Sequence, residues 1–473
     1  TMVAMLTLAT TAIVPIKIFG FMSALGVGLA FVLTIYMLPL MLDIWAPKPI
    51  DKSRRFSRFI PDFSTFISGL LDKVLPIVEK SPRTVVVVFL SFFALFIYGA
   101  TQTRVESDPI GQFPESSPVR QSVAVVDKHM MGTQSLEIYL DLGEENAFQD
   151  PFVLNILDKL QQDIEHKYGD LVVRTTSLAE VVKDTYQTLN EGRADMYIIP
   201  ASQKLVSQTL FMFNNSNPEF RAKVVSDNYN KSHISIRFHN ATSSEYVKVF
   251  AKLQADADAA VAELSTRYPN TKVSITGMLT LMMQGIEYLT HAQLESFALA
   301  LVFISIILLV VFGSLRAGSI AIIPNLIPAT LAFGLLGLFD IPLDFNTMMI
   351  APVVIGIAVD DTVHFITRYR TEVLIDSDIK RALRTTIKEG GHAIVFTALI
   401  LGLGFGVFAL SSSVGTSNVG TFGSLAIFAG LLNDLFLLPA LILIFQVKFD
   451  KQKVEPDEDD QTTLLTDPMP QEA

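Results

Sequence analysis

Gly356-Ile357-Ala358-Val359-Asp360-Asp361 decides the fold, because it sets two adjacent carboxylates inside an apolar run long enough to span a bilayer. From Thr347 to Val359 the sequence is almost wholly apolar, and the first Lys or Arg after the pair is Arg368. If this segment spans, Asp360 and Asp361 lie near mid-membrane. There a single Asp costs roughly 2.5–3.5 kcal/mol, and a neighbouring like charge adds to that, so such a pair is kept for function. The function that paired intramembrane carboxylates suit best is carrying protons.

Working outward, half of the 473 residues are hydrophobic, gathered in long blocks on either side of one broad polar region. A hydrocarbon core needs runs of about 17–25 apolar residues. Seven such spans are predicted, at 20–43, 84–101, 296–312, 319–338, 346–366, 392–411 and 419–446, with a truncated one at 1–15. The block 102–295 has no such run and reads as a folded aqueous domain. The chain has no cysteine, which excludes thiol chemistry, thiolate metal sites and disulfides. The net charge is −11, with 25 acidic and 17 basic residues in 102–295 and an acidic tail over 447–473, so nucleic acid is not an expected partner. His129, His166, His233, His239 and His291 lack the spacing of a metal site and read as surface residues.

Orientation follows from Lys and Arg in short loops, which mark the cytoplasmic side. The connector 46–83 holds eight basic residues and the connector 367–391 holds six, so both are assigned inside, as is the acidic tail. Arg316, in the turn between two spans, agrees. The block 102–295 then falls outside. Within the connector 47–83, apolar residues at helical spacing from Phe56 to Val74 describe an amphipathic helix, either lying in the inner interface or packed on the bundle. Thr1 runs directly into an apolar stretch with no signal-peptide features, so the chain reads as the C-terminal part of a longer protein.

The outer block alternates two periods. Strands are predicted at 135–142, 171–175, 233–239 and 272–277, and helices at 151–168 and 244–268, with a further helical stretch at 178–213. Two β-α-β units in that order describe a ferredoxin-like split βαβ sandwich. Helices at 118–131 and 278–291 would join it to the membrane. A repeat also links the two ends of the chain: Gly20, Leu25, Leu38 and Pro39 fall opposite Gly420, Leu425, Leu438 and Pro439 at an offset of 400 without gaps. Internal repeats are common in transporters.

Three motifs carry a resemblance. They are Pro324-Asn325-Leu326-Ile327-Pro328, the run from Gly356 through Asp360-Asp361-Thr362-Val363-His364-Phe365 to Arg368-Tyr369-Arg370, and Asn433-Asp434-Leu435-Phe436-Leu437-Leu438-Pro439. Together they resemble the resistance-nodulation-division (RND) superfamily and its MMPL-like, predicted-exporter branch. The resemblance implies a membrane α-helical bundle of RND-type repeats with an inserted α+β ferredoxin-like porter-type domain. On that pattern 1–46 holds the last two spans of a first repeat and 47–83 the cytoplasmic connector. The second repeat begins with the span 84–101, continues with the porter-type domain 102–295, and ends with the five spans of 296–446. The resemblance further implies a secondary transporter in the bacterial inner membrane that couples the proton gradient, with no other cofactor, to export of a hydrophobic or amphiphilic compound, lipid-like by preference. Homo-oligomerisation is left open.

Carried over, Asp360 and Asp361 are the expected proton relay. On a helix Pro352, Gly356, Asp360, His364 and Arg368 follow in steps of four and share a face, and Gly356 would let a neighbouring helix approach. His364 is either a relay partner or a polar helix-end residue. Asn325, between two prolines, either bonds across helices or satisfies carbonyls freed by the kink. For Asp434 packing and relay stand equal. A lipid sensor or accessory protein built on the same bundle is the alternative function. An intramembrane aspartyl protease would need a Gly-x-Gly-Asp context that is absent here, so no enzyme activity is expected.

Overall fold

The computed structural model describes residues 2–10, 14–45, 63–106, 108, 110–216, 218–344 and 346–449. A short helix α1 (Met2–Leu8) precedes the long α2 (Val14–Ile44). After it comes α3 (Phe63–Lys80), which buries Ile67, Leu71, Val74, Leu75 and Val78 in the bundle core and leaves Phe66, Leu70 and Ile77 exposed. The predicted connector helix is therefore packed on the bundle and still carries an outer apolar strip; its part at 47–62 lies outside the described residues, as does the tail at 450–473. α4 (Pro82–Gln102) starts with Pro82, at a position where the missing N–H has no helical partner to lose.

The polar block contributes α5 (Pro118–His129), β1 (Gln134–Asp141), α6 (Pro151–Tyr168), β2 (Val172–Thr176), α7 (Leu178–Leu189), α8 (Gln203–Ser216), α9 (Pro218–Val224), β3 (Lys231–Phe238), α10 (Ser243–Leu264) and β4 (Lys272–Thr276). The strands form one sheet in the order β2-β3-β1-β4, with every neighbouring pair antiparallel. Strand alternation sends Leu136, Ile138 and Leu140 of β1 and Ile234, Ile236 and Phe238 of β3 to one face, where they pack with α6 and α10. Glu137, His233 and Ser235 occupy the other face. Asp150 caps α6 by accepting from Phe152 N at 3.0 Å, and its second oxygen takes Arg267 Nη1 at 3.0 Å and the Tyr268 hydroxyl at 2.9 Å. The stretch predicted as one helical region at 178–213 divides into α7 and α8, with α9 following.

α11 (Met278–Phe312) is one continuous helix, where the sequence suggested a joining helix and a separate span. It ends at Gly313, whose φ of 58° gives a left-handed stop. The remaining helices are α12 (Leu315–Leu338), α13 (Ile350–Asp376), α14 (Ile379–Phe408), α15 (Val414–Leu432) and α16 (Leu438–Phe445), the last two joined by a π turn at Asn433–Leu437. Among the described residues, seven helical stretches are long and apolar enough to cross a membrane: Ile16–Ile44, Pro82–Gln102, Glu295–Phe312, Leu315–Leu338, Thr347–Asp376, Ile379–Phe408 and Val414–Phe445. α12 lies centrally, against α4, α11, α13 and α15. It meets α4 through Gly99, Gly334 and Gly337, where any Cβ would collide with the facing backbone. Small residues of this kind let membrane helices pack without a hydrophobic drive between them.

Candidate functional site

The buried centre of the bundle begins with proline chemistry on α12. Pro328 has no N–H to offer the Pro324 carbonyl one turn before it. Asn433 Nδ2 takes the vacant place, donating to Pro324 O at 3.1 Å. Asn325 Nδ2 donates to Ala321 O at 2.7 Å, which leaves its Oδ1 3.3 Å from Thr362 Oγ1 on α13. The same Thr362 oxygen lies 2.6 Å from Asp434 Oδ1. Thr362, Asp434, Asn433 and Asn325 are 0%, 1%, 1% and 3% exposed, so water does not compete for these bonds. Asp434 and Asn433 sit in the π turn, where Leu438 N–H reaches back five residues to Asn433 O. Such turns are rare and concentrate at functional sites.

Asp361 and Asp360 part company. Adjacent helical residues point about 100° apart; Asp361 is buried while Asp360 is exposed. Asp361 stands at the head of a partly open cavity of about 420 Å³ between α13 and α14, whose wall also includes His364, Arg368, Glu389 and Ile394. Arg368 pairs with Glu389 across the two helices, and with Glu372 at 3.0 Å. Glu372 is in turn held by Arg381 at 3.0 Å, and Arg381 Nε reaches Asp376 at 2.5 Å. The cavity thus gives a buried carboxylate a polar approach from the charged end of α13, with an ion pair at its mouth.

The predicted face Pro352-Gly356-Asp360-His364-Arg368 is not buried as a unit: Pro352 and Gly356 are buried, Asp360 and His364 exposed. At Gly430, a Cβ would be in ordinary van der Waals contact with Pro328 at 3.6 Å and Ala358 at 3.7 Å. Asn325 and Asp434 come together through Thr362, a residue that sequence reasoning passed over. Its signal was only its place beside Asp361, one residue further round the helix. Asn433 and Glu389 were likewise passed over. In the α+β unit, His233 Nε2 lies 3.5 Å from Glu137 and His239 Nδ1 3.2 Å from Asp127, so these histidines have acidic partners. Among the described residues no three His, Cys, Asp or Glu side chains gather as a metal site.

The sequence pattern of the MMPL family matches residues 149–456, which include β2, β3 and β4, the cavity and the buried cluster. The chain belongs to the MMPL family. This bears out the resemblance drawn from the three motifs. Over 381 residues this MMPL protein is 23% identical to a membrane protein of Methanocaldococcus jannaschii, a match covering 79% of this chain and 94% of that one. It is 28% identical to a hopanoid transporter of Rhodopseudomonas palustris over 145 residues, 30% of this chain and 15% of the transporter. The hedgehog release protein Disp of the water bear Hypsibius dujardini superposes with a TM-score of 0.53 at 14% identity, covering 93% of this MMPL chain and 56% of Disp. At that identity the likeness is one of fold.

Proposed function

We propose that this protein is a proton-coupled secondary transporter that exports a hydrophobic or amphiphilic, lipid-like compound, with Asp361 as the coupling carboxylate and Asp360 assisting it. The observation that carries the reading is Asp361 itself, buried in mid-span yet facing a partly open cavity whose wall also carries His364, Arg368 and Glu389. A carboxylate so placed can exchange a proton with water on one side while packed inside the bundle on the other. MMPL membership and the similarity to a hopanoid transporter support the substrate class. The strand order of the outer sheet, with β3 between β1 and β2 and β1 between β3 and β4, supports a ferredoxin-like porter-type domain over 102–295. We place that domain on the outer side of a bacterial inner membrane and the connector and tail inside, following the basic residues of the short loops.

The test is substrate-dependent proton flux in proteoliposomes, with hopanoid-class and other amphiphiles screened beside a lipid extract. Flux in the parent that is lost in Asp361→Asn, at matched insertion, supports the reading. Equal flux in parent and variant sinks it. Lipid binding without proton movement in either would favour the sensor or accessory role.

A further inference from the structure

The buried cluster contains one hydrogen too few for a charged Asp434. Thr362 Oγ1 lies within hydrogen-bond distance of both Asp434 Oδ1, at 2.6 Å, and Asn325 Oδ1, at 3.3 Å. Asn325 is fixed in this sense because its Nδ2 is engaged with Ala321 O. A threonine hydroxyl has one hydrogen to give. With Asp434 ionised, that hydrogen goes to the carboxylate and Asn325 Oδ1 is left without it. With Asp434 protonated, the acid donates to Thr362 Oγ1, the Thr362 hydroxyl donates onward to Asn325 Oδ1, and every group in the chain is satisfied.

We infer that Asp434 is a second protonation site of the bundle, and that the Thr362 hydroxyl transmits its state to α12 by turning between Asp434 and Asn325. The inference rests on the proton-coupled reading of Asp361 and extends it from α13 to the last span. The surroundings suit a group that changes charge. Asp434 has no ion-pair partner among the described residues, and Asp361 is the ionisable side chain that faces it. α15 and α16 carry no ionisable residue, and Arg316 of α12 and Arg83 of α4 stand at helix ends. On α3, Asp72, Lys73 and Lys80 are exposed and Glu79 half-buried.

The receiving element is suited to respond. Asn325 lies between Pro324 and Pro328, where α12 lacks backbone hydrogen bonds. Asn433 holds this segment through the Pro324 carbonyl, while its own Oδ1 is buried without a partner. A hydrogen bond gained or lost at Asn325 therefore acts where α12 is least constrained by its own ladder. The π turn supplies a matching joint on the other side of the contact.

Two readouts on the intact protein test this. In infrared difference spectra between acidic and alkaline buffer, the parent is expected to show a protonated-carboxyl band that disappears in Asp434→Asn. The same band shifts in Thr362→Val, which keeps the shape and removes the hydroxyl, and stays in place in Thr362→Ser. In proteoliposomes, Asp434→Asn and Thr362→Val are expected to lower proton flux by about a hundred-fold, the scale of a positioned proton-transfer group, while Thr362→Ser retains most of it. A band unchanged in Asp434→Asn, or unmoved in Thr362→Val, overturns the inference. So does parental flux in Asp434→Asn beside lost flux in Asp361→Asn, a result that leaves the coupling role of Asp361 standing. If the parent itself moves no protons, the coupled reading fails and the infrared band alone decides the role of Asp434.

Discussion

Gly20 and Gly420 make the same helix crossing 400 residues apart. A Cβ on Gly20 would lie 2.7 Å from Met5 O and 2.8 Å from both Leu8 Cβ and Ala9 N; one on Gly420 would lie 2.8 Å from Phe405 O and 2.6 Å from Phe408 C, and would collide with Ala409 N. The partner residues stand at the same offset as the glycines. α2 and α15 also begin at equivalent positions, Val14 and Val414. The two helix pairs are thus copies of one packing solution. Their clearest difference falls where Leu33-Thr34 in the unbroken α-helix α2 corresponds to Asn433-Asp434 in the π turn.

At the second crossing the obstructing atoms are backbone, so they cannot move aside as a side chain would. Gly420→Val is expected to destabilise the bundle by about 1–3 kcal/mol, the usual cost of overpacking. Gly404→Ala on α14 meets nothing within 4 Å and serves as the control, expected to be neutral or slightly stabilising. Thermal unfolding in detergent separates the two. Equal melting temperatures would mean that the crossing is not close in solution.

In the α+β unit, Asp150 holds three partners, Phe152 N, Arg267 and the Tyr268 hydroxyl, while 5% exposed. Asp150→Ala removes the cap of α6 and leaves the Tyr268 hydroxyl unsatisfied, an expected loss of about 2–4 kcal/mol. Asp150→Asn keeps an acceptor for Phe152 N and should lose less. Hydrogen-exchange protection of the α6 and β1 amides gives the ranking; equal losses in Asn and Ala would show that the charge, not the cap, matters most here.

Much of this architecture is legible in the sequence because its causes are local. Apolar runs mark the spans, and alternation at Leu136, Ile138 and Leu140 marks a strand with one buried face. Glu287, His291 and Glu295 interrupt the apolar run before 296, but they do not interrupt a helix, so α11 reads as two elements and folds as one. The π turn is invisible because 419–446 is apolar for most of its length, and a shift of bonding partner by one residue leaves no compositional mark. Which of Asp360 and Asp361 turns inward depends on where α12 and α15 pack, information that no window around the pair contains. Thr362 escaped notice for the same reason, since its importance lies in Asn325 and Asp434, 37 and 72 residues away.

Glu137 on the open face of the sheet gives a pH prediction. Burial pushes its carboxyl above the ordinary value of 4.5, against the opposing effects of the Ser235 hydroxyl and the charges of His233 and Arg237. The folded state then binds more protons than the unfolded one between 4.5 and the raised value, so stability from this group is full below 4.5 and is lost as pH rises through that window. Glu137→Gln should flatten the pH dependence of β1 and β3 amide protection, corrected for intrinsic exchange rates. A profile as steep as the parent's would assign the dependence to another group.

The Arg368–Glu389 pair lines the cavity beside Asp361 and is expected to set how freely water and solutes reach that carboxylate. Both side chains are partly exposed, 41% and 57%, so the pair is worth about 0–1 kcal/mol and not more. That energy corresponds to at most about a five-fold change in the opening of the mouth. Because the chain has no cysteine, a single Ile394→Cys on the cavity wall reports that opening through its rate of reaction with a small charged thiol reagent. Adding Glu389→Gln should speed the reaction up to that limit. Raising the salt should do the same in the Ile394→Cys protein, by screening the pair, and have little effect once Glu389 is replaced. Arg368 stays anchored by Glu372 in the variant, so the gain would come from losing the crossing ion pair alone. If labelling is equally fast with and without Glu389, the ion pair does not guard the cavity, and access to Asp361 is limited instead by the packing of α13 on α14.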